Sequence, residues 1–149
     1  MKDLTSSYLT SNADVSLNAI YSKTTEDIEI TVQPVYLEDQ SVPDERHYVW
    51  AYHVRIKNNR SDVIQLRSRY WKITDSLGFS QEVQGEGVVG EQPLINASET
   101  FEYSSGTPLN TPSGIMMGHY TMKNDAGIYI NVEIPAFSLD SPHDIQVIH

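Results

Sequence analysis

The stretch His47-Tyr48-Val49-Trp50-Ala51-Tyr52-His53-Val54-Arg55-Ile56-Lys57 decides the fold. Tyr48, Trp50, Tyr52, Val54 and Ile56 fall on one parity, and His47, Val49, Ala51, His53, Arg55 and Lys57 on the other. Successive strand residues point to opposite faces, so five large side chains on one face predict a central strand packed against a second layer. Upstream, Ile28, Ile30 and Val32 alternate with Glu29, Thr31 and Gln33, and beyond Pro34 the apolar residues Val35 and Leu37 change parity. Proline lacks a ladder donor, so this phase change predicts an edge position or a bulge. Downstream, Asn58 to Ser61 reads as a turn, and Val63 to Thr74 as a strand. Ile64 and Leu66 share one parity whereas Trp71 and Ile73 take the other, which predicts a bulge near Ser68–Tyr70.

Further strands follow from the same rule. Phe79 to Val83 returns from a hairpin at Asp75-Ser76-Leu77-Gly78. Phe101 and Tyr103 alternate in Thr100 to Ser104, and Met116, Tyr120 and Met122 share a face in Met116 to Met122. Asn124-Asp125-Ala126-Gly127 is a hairpin turn into Ile128, Ile130, Val132 and Ile134, a run that Pro135 stops. The expected architecture is all-β: an antiparallel immunoglobulin/fibronectin type III-like β-sandwich of about seven strands spanning residues 26–149, with a barrel as the alternative. Residues 1–25 read as an arm or short helix, and Ser141-Pro142-His143 opens a polar tail.

Composition narrows the functional classes. At 149 residues with 39% hydrophobic content, the chain is one domain with one core. No apolar run reaches membrane-spanning length, and Met1 to Ser7 lacks the apolar core of a secretory signal, so a cytoplasmic location without membrane attachment is expected. Cysteine is absent, which removes disulfides, thiolate nucleophiles and Cys-based metal sites together. A formal charge of −10 repels a phosphate backbone and argues against a nucleic-acid partner, although Arg67, Arg69 and Lys72 form a local basic spot. Arg67 and Arg69 share a parity and are expected to project to solvent, as a partner-binding spot or a solvated pair. Trp50 and Trp71 are expected at the interface between the sheets.

The stretch richest in glycine tests the chemistry. Gly85-Glu86-Gly87-Val88-Val89-Gly90 spells G-x-G-x-x-G, the spelling of a dinucleotide-binding turn. That function needs a helix opening at the last glycine, whose amides hold the pyrophosphate, and an acid about 20 residues on. Here Glu91-Gln92-Pro93-Leu94-Ile95-Asn96 carries no helical pattern, and Ser104 to Leu109 no carboxylate. The glycines are read instead as positions of positive φ and close backbone approach in an inter-strand loop. Glu82, Glu86 and Glu91 are the candidate ligands for a hard cation, should the loop fold back on itself. His47, His53, His119, His143 and His149 lack metal-ligand spacing, and no G-x-S-x-G elbow is present. His47 and His53 lie roughly 20 Å apart along one strand, and His119 is expected as an exposed strand residue.

Several segments, in order, resemble the ApaG family. They are Arg69-Tyr70-Trp71-Lys72-Ile73-Thr74-Asp75, Gly85 to Pro93, Phe101-Glu102-Tyr103-Ser104-Ser105, Gly114 to Tyr120, and Pro135-Ala136-Phe137-Ser138-Leu139. The resemblance implies a fibronectin type III-like sandwich. It also implies the role of the family's bacterial members, which stand alone and are linked to cobalt resistance and magnesium efflux, without an established enzymatic activity. Related domains of F-box proteins and of a DNA-polymerase-interacting protein look like protein-interaction modules. The family's glycine motif, described as a pyrophosphate signature, maps to Gly85, Gly87 and Gly90. Two features depart from the family pattern: the length of the arm at 1–25, and Asn96-Ala97-Ser98-Glu99 where Pro-Gly is usual. The second departure predicts a turn without a strict demand for positive φ, or another turn type at Asn96 or Ala97.

The expected function is a non-catalytic protein-interaction module with no cofactor, with a protein partner and compatible with homo-oligomers. The alternative is a pyrophosphate- or nucleotide-binding protein, or a small hydrolase, using the Gly85–Gly90 loop and a divalent cation.

Overall fold

The computed structural model describes residues 19–143. It consists of nine strands: β1 (Tyr21–Thr25), β2 (Ile28–Tyr36), β3 (Tyr48–Asn58), β4 (Ile64–Asp75), β5 (Ser80–Glu86), β6 (Leu94–Ile95), β7 (Thr100–Leu109), β8 (Gly114–Asn124) and β9 (Tyr129–Leu139). One antiparallel sheet has the order β1-β2-β3-β7, and the other β5-β4-β8-β9 with β6 pairing β4. Seven of the nine are the strands that alternation predicts. The two others, β1 and β6, are short and carry too few apolar residues to show a period. β1 corrects the end of the expected arm: Tyr21 to Thr25 pair with Val32 to Ile28, and residues 1–18 lie outside the described residues.

The core forms where the two period-two faces meet. Trp50, Val54 and Ile56 of β3 pack opposite Trp71 of β4, Met116, Tyr120 and Met122 of β8, and Val132 and Phe137 of β9, all at most 3% exposed. Both tryptophans therefore sit between the sheets, as expected. The aromatic rings meet edge-on, with Tyr52–Trp71 centroids 5.4 Å apart and Trp71–Phe137 6.0 Å apart. Such offset contacts suit the ring quadrupoles and add to the area buried.

The phase change at Pro34 has a definite cause. β2 keeps an unbroken register with β3 from Ile28 to Tyr36, so there is no bulge. β1 begins opposite Val32, which leaves Pro34 beyond its reach on an edge, where the missing N–H interrupts no ladder. Val35 and Leu37 then pack with Ala51 in a small second cluster on the outer face of that sheet. Residues 38–45, read as a loop, run on from Leu37 and contain two short 3-10 turns, Glu38–Gln40 and Pro43–Glu45.

Two bulges re-aim the second sheet. The β4–β8 register shifts between Leu66 and Ser68, making Arg67 the extra residue, slightly upstream of the expected Ser68–Tyr70. The β8–β9 register shifts between Met116 and Gly118, opposite Pro135 and Ala136. Pro135 thus bulges β9 rather than ending it, and the strand continues to Leu139. On the β1/β9 side the sheets are tied together: Lys23 Nζ pairs with Glu133 at 2.7 Å, and the Glu133 and Ser138 amides donate to Thr25 Oγ1 and Tyr21 Oη. On the opposite side β5 and β7 are not paired, and clefts open between them.

The turn at Asn96-Ala97-Ser98-Glu99 overturns the expectation, drawn from the missing Pro-Gly, of no strict demand for positive φ. The Glu99 amide donates to Asn96 O at 3.0 Å, and Ser98 occupies φ +69°. Positive φ at the third position is the demand usually met by glycine. Ser98→Gly is expected to raise the unfolding free energy by about 1 kcal/mol, because the Cβ penalty of the left-handed region disappears. A urea titration reads this directly, and an unchanged midpoint would contradict it.

Candidate functional site

The glycine stretch begins inside a strand. Gly85 lies in β5 opposite Arg69, and the chain turns only at Gly87. A Cβ on Gly85 would lie 2.8 Å from Arg69 Nη1, so the missing side chain is the space the guanidinium occupies. Arg69 Nη1 uses that position to donate to Gly87 O at 2.8 Å and to Glu86 O at 3.2 Å. Gly87, at φ +67°, would clash through a Cβ with Glu91 O at 2.2 Å. Val88 and Glu91 exchange both backbone hydrogen bonds, closing a tight turn with Val89 at φ +43° and Gly90 at φ +81°. A β-branched residue in the left-handed region is strained. The bulge anchors this loop at both ends: Arg67 O accepts from the Gly87 amide and from Gln92 Nε2.

No helix follows Gly90; the chain passes through Glu91 to the two-residue strand β6. The motif accordingly lacks the helix N-terminus that holds pyrophosphate in dinucleotide folds. The three acids are placed apart in kind. Glu82 accepts a hydrogen bond from Tyr70 Oη on the outer face of β5, Glu86 ends that strand, and Glu91 closes the tight turn. Among the described residues there is no group of three or more His, Asp or Glu side chains that could hold a metal ion.

Arg69 corrects the expectation of a solvated pair with Arg67. The bulge at Arg67 gives Arg69 the parity of Trp71 and Ile73, which face inward. It lines a cleft of about 390 Å³ with Tyr52, Trp71, Val88, Tyr103 and Ser105, under the glycine loop. Arg67 has its Nε buried without a hydrogen-bond partner among the described residues. Behind the cleft, the hydroxyls of Tyr103 and Tyr120 share a buried hydrogen bond. Burial pushes the phenols of Tyr52, Tyr103 and Tyr120 above the ordinary tyrosine value, and the positive charge of Arg69 opposes this at all three.

These tyrosines imply a pH dependence. Their folded-state values are raised, so the stability they confer is fully present below the ordinary tyrosine value of about 10 and is lost as pH rises above it. The urea midpoint is expected to fall steeply above about pH 10, and less steeply in Tyr120→Phe. Parallel pH profiles for the two proteins would refute the assignment.

One constellation escapes alternation-based reading. His53 Nδ1 lies 2.9 Å from Ser104 Oγ, and its Nε2 lies 2.6 Å from Glu102 Oε1. The three meet because His53 pairs directly with Ser104 across β3 and β7, with Glu102 on the diagonal. The order Ser–His–Glu resembles a nucleophilic triad, but Ser104 is 1% exposed on an outer sheet face and does not line the cleft under the glycine loop. No carbonyl can approach a hydroxyl so covered, and the array serves as a cross-strand network. His119, expected exposed, is half-buried and stacks on Tyr70 with centroids 5.1 Å apart.

Comparison with known proteins bears on this geometry. A family model described as the ApaG domain matches residues 38–124. The chain belongs to the ApaG family. It is 58% identical over 130 residues to the Protein ApaG of Parvibaculum lavamentivorans, covering 87% of this chain and 100% of that protein. The Protein ApaG of Paramagnetospirillum magneticum is also 58% identical, over 84% of this chain and 96% of its own length. A crystal structure of the ApaA protein from Bordetella pertussis superposes with a TM-score of 0.76 at 48% identity, covering 78% of this chain and 94% of that one. The ApaG domain match spans β3 to β8, and so includes the four strands β3, β4, β5 and β7 that wall the cleft and the whole glycine loop. Among the described residues of this ApaG-family protein, no helix is long and apolar enough to cross a membrane.

Proposed function

We propose that this ApaG-family protein is a non-catalytic, cofactor-free protein-interaction module of the cytoplasm, acting in cobalt resistance and magnesium efflux through contacts with a protein partner. The link to these cations rests on the family resemblance. The observation that carries the interaction role is the β4–β5 hairpin, which holds Leu77 and Phe79 in solvent at 65% and 72% exposure.

The hairpin is braced by hydrogen bonds. Asp75 Oδ1 accepts from the Leu77 and Phe79 amides at 2.9 and 3.0 Å, the Asp75 amide donates to Phe79 O, and Gly78 takes φ +91°. The Ser76 amide is further tied to Thr111 Oγ1. Two large apolar side chains fixed in water gain nothing from the fold itself. They present preorganised anchors that lose little entropy on docking. Ile115, 50% exposed, lies on the neighbouring strand β8 opposite Thr74.

The test is retention of protein from extract on immobilised wild type and on Leu77→Ser/Phe79→Ser. The double variant is expected to keep its stability within about 0.5 kcal/mol, since exposed positions contribute little, and to lose a defined partner identified by mass spectrometry. Equal retention by both proteins, or measured turnover of a substrate, would overturn the proposal.

A further inference from the structure

The cleft under the glycine loop holds a guanidinium that has no ion-pair partner among the described residues. Among the described residues no carboxylate pairs with Arg69, in a chain whose formal charge is −10. Its Nη1 is occupied by the carbonyls of Glu86 and Gly87, which fix the guanidinium plane, while Nε and Nη2 have no hydrogen-bond partner among the described residues. Glycine at position 85 lets the group lie flat across β5. A half-buried guanidinium so oriented presents a fork that matches the two oxygens of a carboxylate.

We propose that this cleft binds an organic carboxylate, with Arg69 as the anion-binding residue, Ser105 as a second polar contact, and Trp71, Tyr52 and Val88 as walls for the apolar part of the ligand. Charge decides between anions. One guanidinium neutralises one charge, and Glu86 on the cleft wall together with the acidic net charge repels a dianion such as phosphate more strongly than a monocarboxylate. A volume of about 390 Å³ accommodates a ring or a short side chain attached to the carboxylate. This site is separate from the Leu77/Phe79 hairpin, so either reading can fail without the other.

The experiment is an NMR titration of the isotope-labelled full chain with benzoate, with a short peptide bearing a free C-terminal carboxylate, with the same peptide amidated, and with inorganic pyrophosphate. Saturable shifts are expected at Arg69 Nε and at the amides of Tyr52, Val88 and Ser105 with benzoate or with the free-acid peptide. Whichever of the two binds more tightly identifies the source of the carboxylate. Arg69→Gln is expected to weaken binding about tenfold or more, the loss of one charge-assisted pair. Because Arg69 also braces the glycine loop, Ser105→Val provides a second variant that crowds the cleft and leaves the guanidinium in place, with a similar loss expected. Shifts that fail to saturate, affinity unchanged in both variants, equal binding of the amidated peptide, or tighter binding of pyrophosphate would each overturn the proposal.

Discussion

Trp50→Ala is expected to lower the unfolding free energy by about 3–5 kcal/mol, the range for deleting a fully buried aromatic side chain. Trp50 is 1% exposed, and its indole packs against the Tyr36 ring at 5.3 Å. Its Nε1–H donates to Asp140 O at 2.8 Å, joining the start of β3 to the segment that follows β9. Alanine would leave a cavity and an unpaired carbonyl together. Trp50→Phe separates the two terms: it fills most of the volume and abandons the hydrogen bond, for an expected loss of about 1–3 kcal/mol. Urea unfolding monitored by far-ultraviolet circular dichroism reads both variants. A Trp50→Ala protein within 1 kcal/mol of wild type, about the average for a point substitution, would contradict the packing described.

Gly118→Ala is the second large effect, and it comes from crowding rather than loss. A Cβ at position 118 would lie 2.0 Å from Tyr70 O and 3.2 Å from Trp71 Cα, both backbone atoms of the neighbouring strand β4. Neither can rotate away, so β4 and β8 must separate at their centre. The expected cost is about 3 kcal/mol, at the upper end of overpacking effects. Gly90→Ala is the contrasting control, since a Cβ there meets nothing within 4 Å and only its φ of +81° is unfavourable. About 1 kcal/mol is expected for it. Equal losses at the two positions would show that backbone conformation, and not inter-strand distance, governs both.

These two glycines show where sequence reading stops. Gly90 belongs to a spelled motif and invites a ligand, yet its own side-chain space is empty and its role is a turn. Gly118 lies in a segment that marks the family and suggests no ligand, and its importance lies in the approach of β4, a strand about fifty residues away in sequence. Arg69 teaches the same point. The change of parity between Leu66 and Trp71 is visible in the residue order, and it locates a bulge. Whether the bulge falls before or after Arg69 decides whether that guanidinium meets water or the cleft, and this depends on where β8 sets the register.

Alternation along β2, β3, β4, β8 and β9 determined the all-β class and the residues that fill the core, because a strand's period of two is local chemistry written residue by residue, whereas sandwich against barrel was decided by how the strands pair. The ordered segments from Arg69 to Leu139 determined the family. The tertiary structure alone decided that β5 and β7 leave an open side, that Gly85 clears a bed for Arg69, that His53 reaches Ser104 and Glu102, and that Ser98 supplies a positive φ. Each of these depends on which strands become neighbours and in what register. Register is set by the summed packing of two sheets, a quantity that no single stretch of sequence carries.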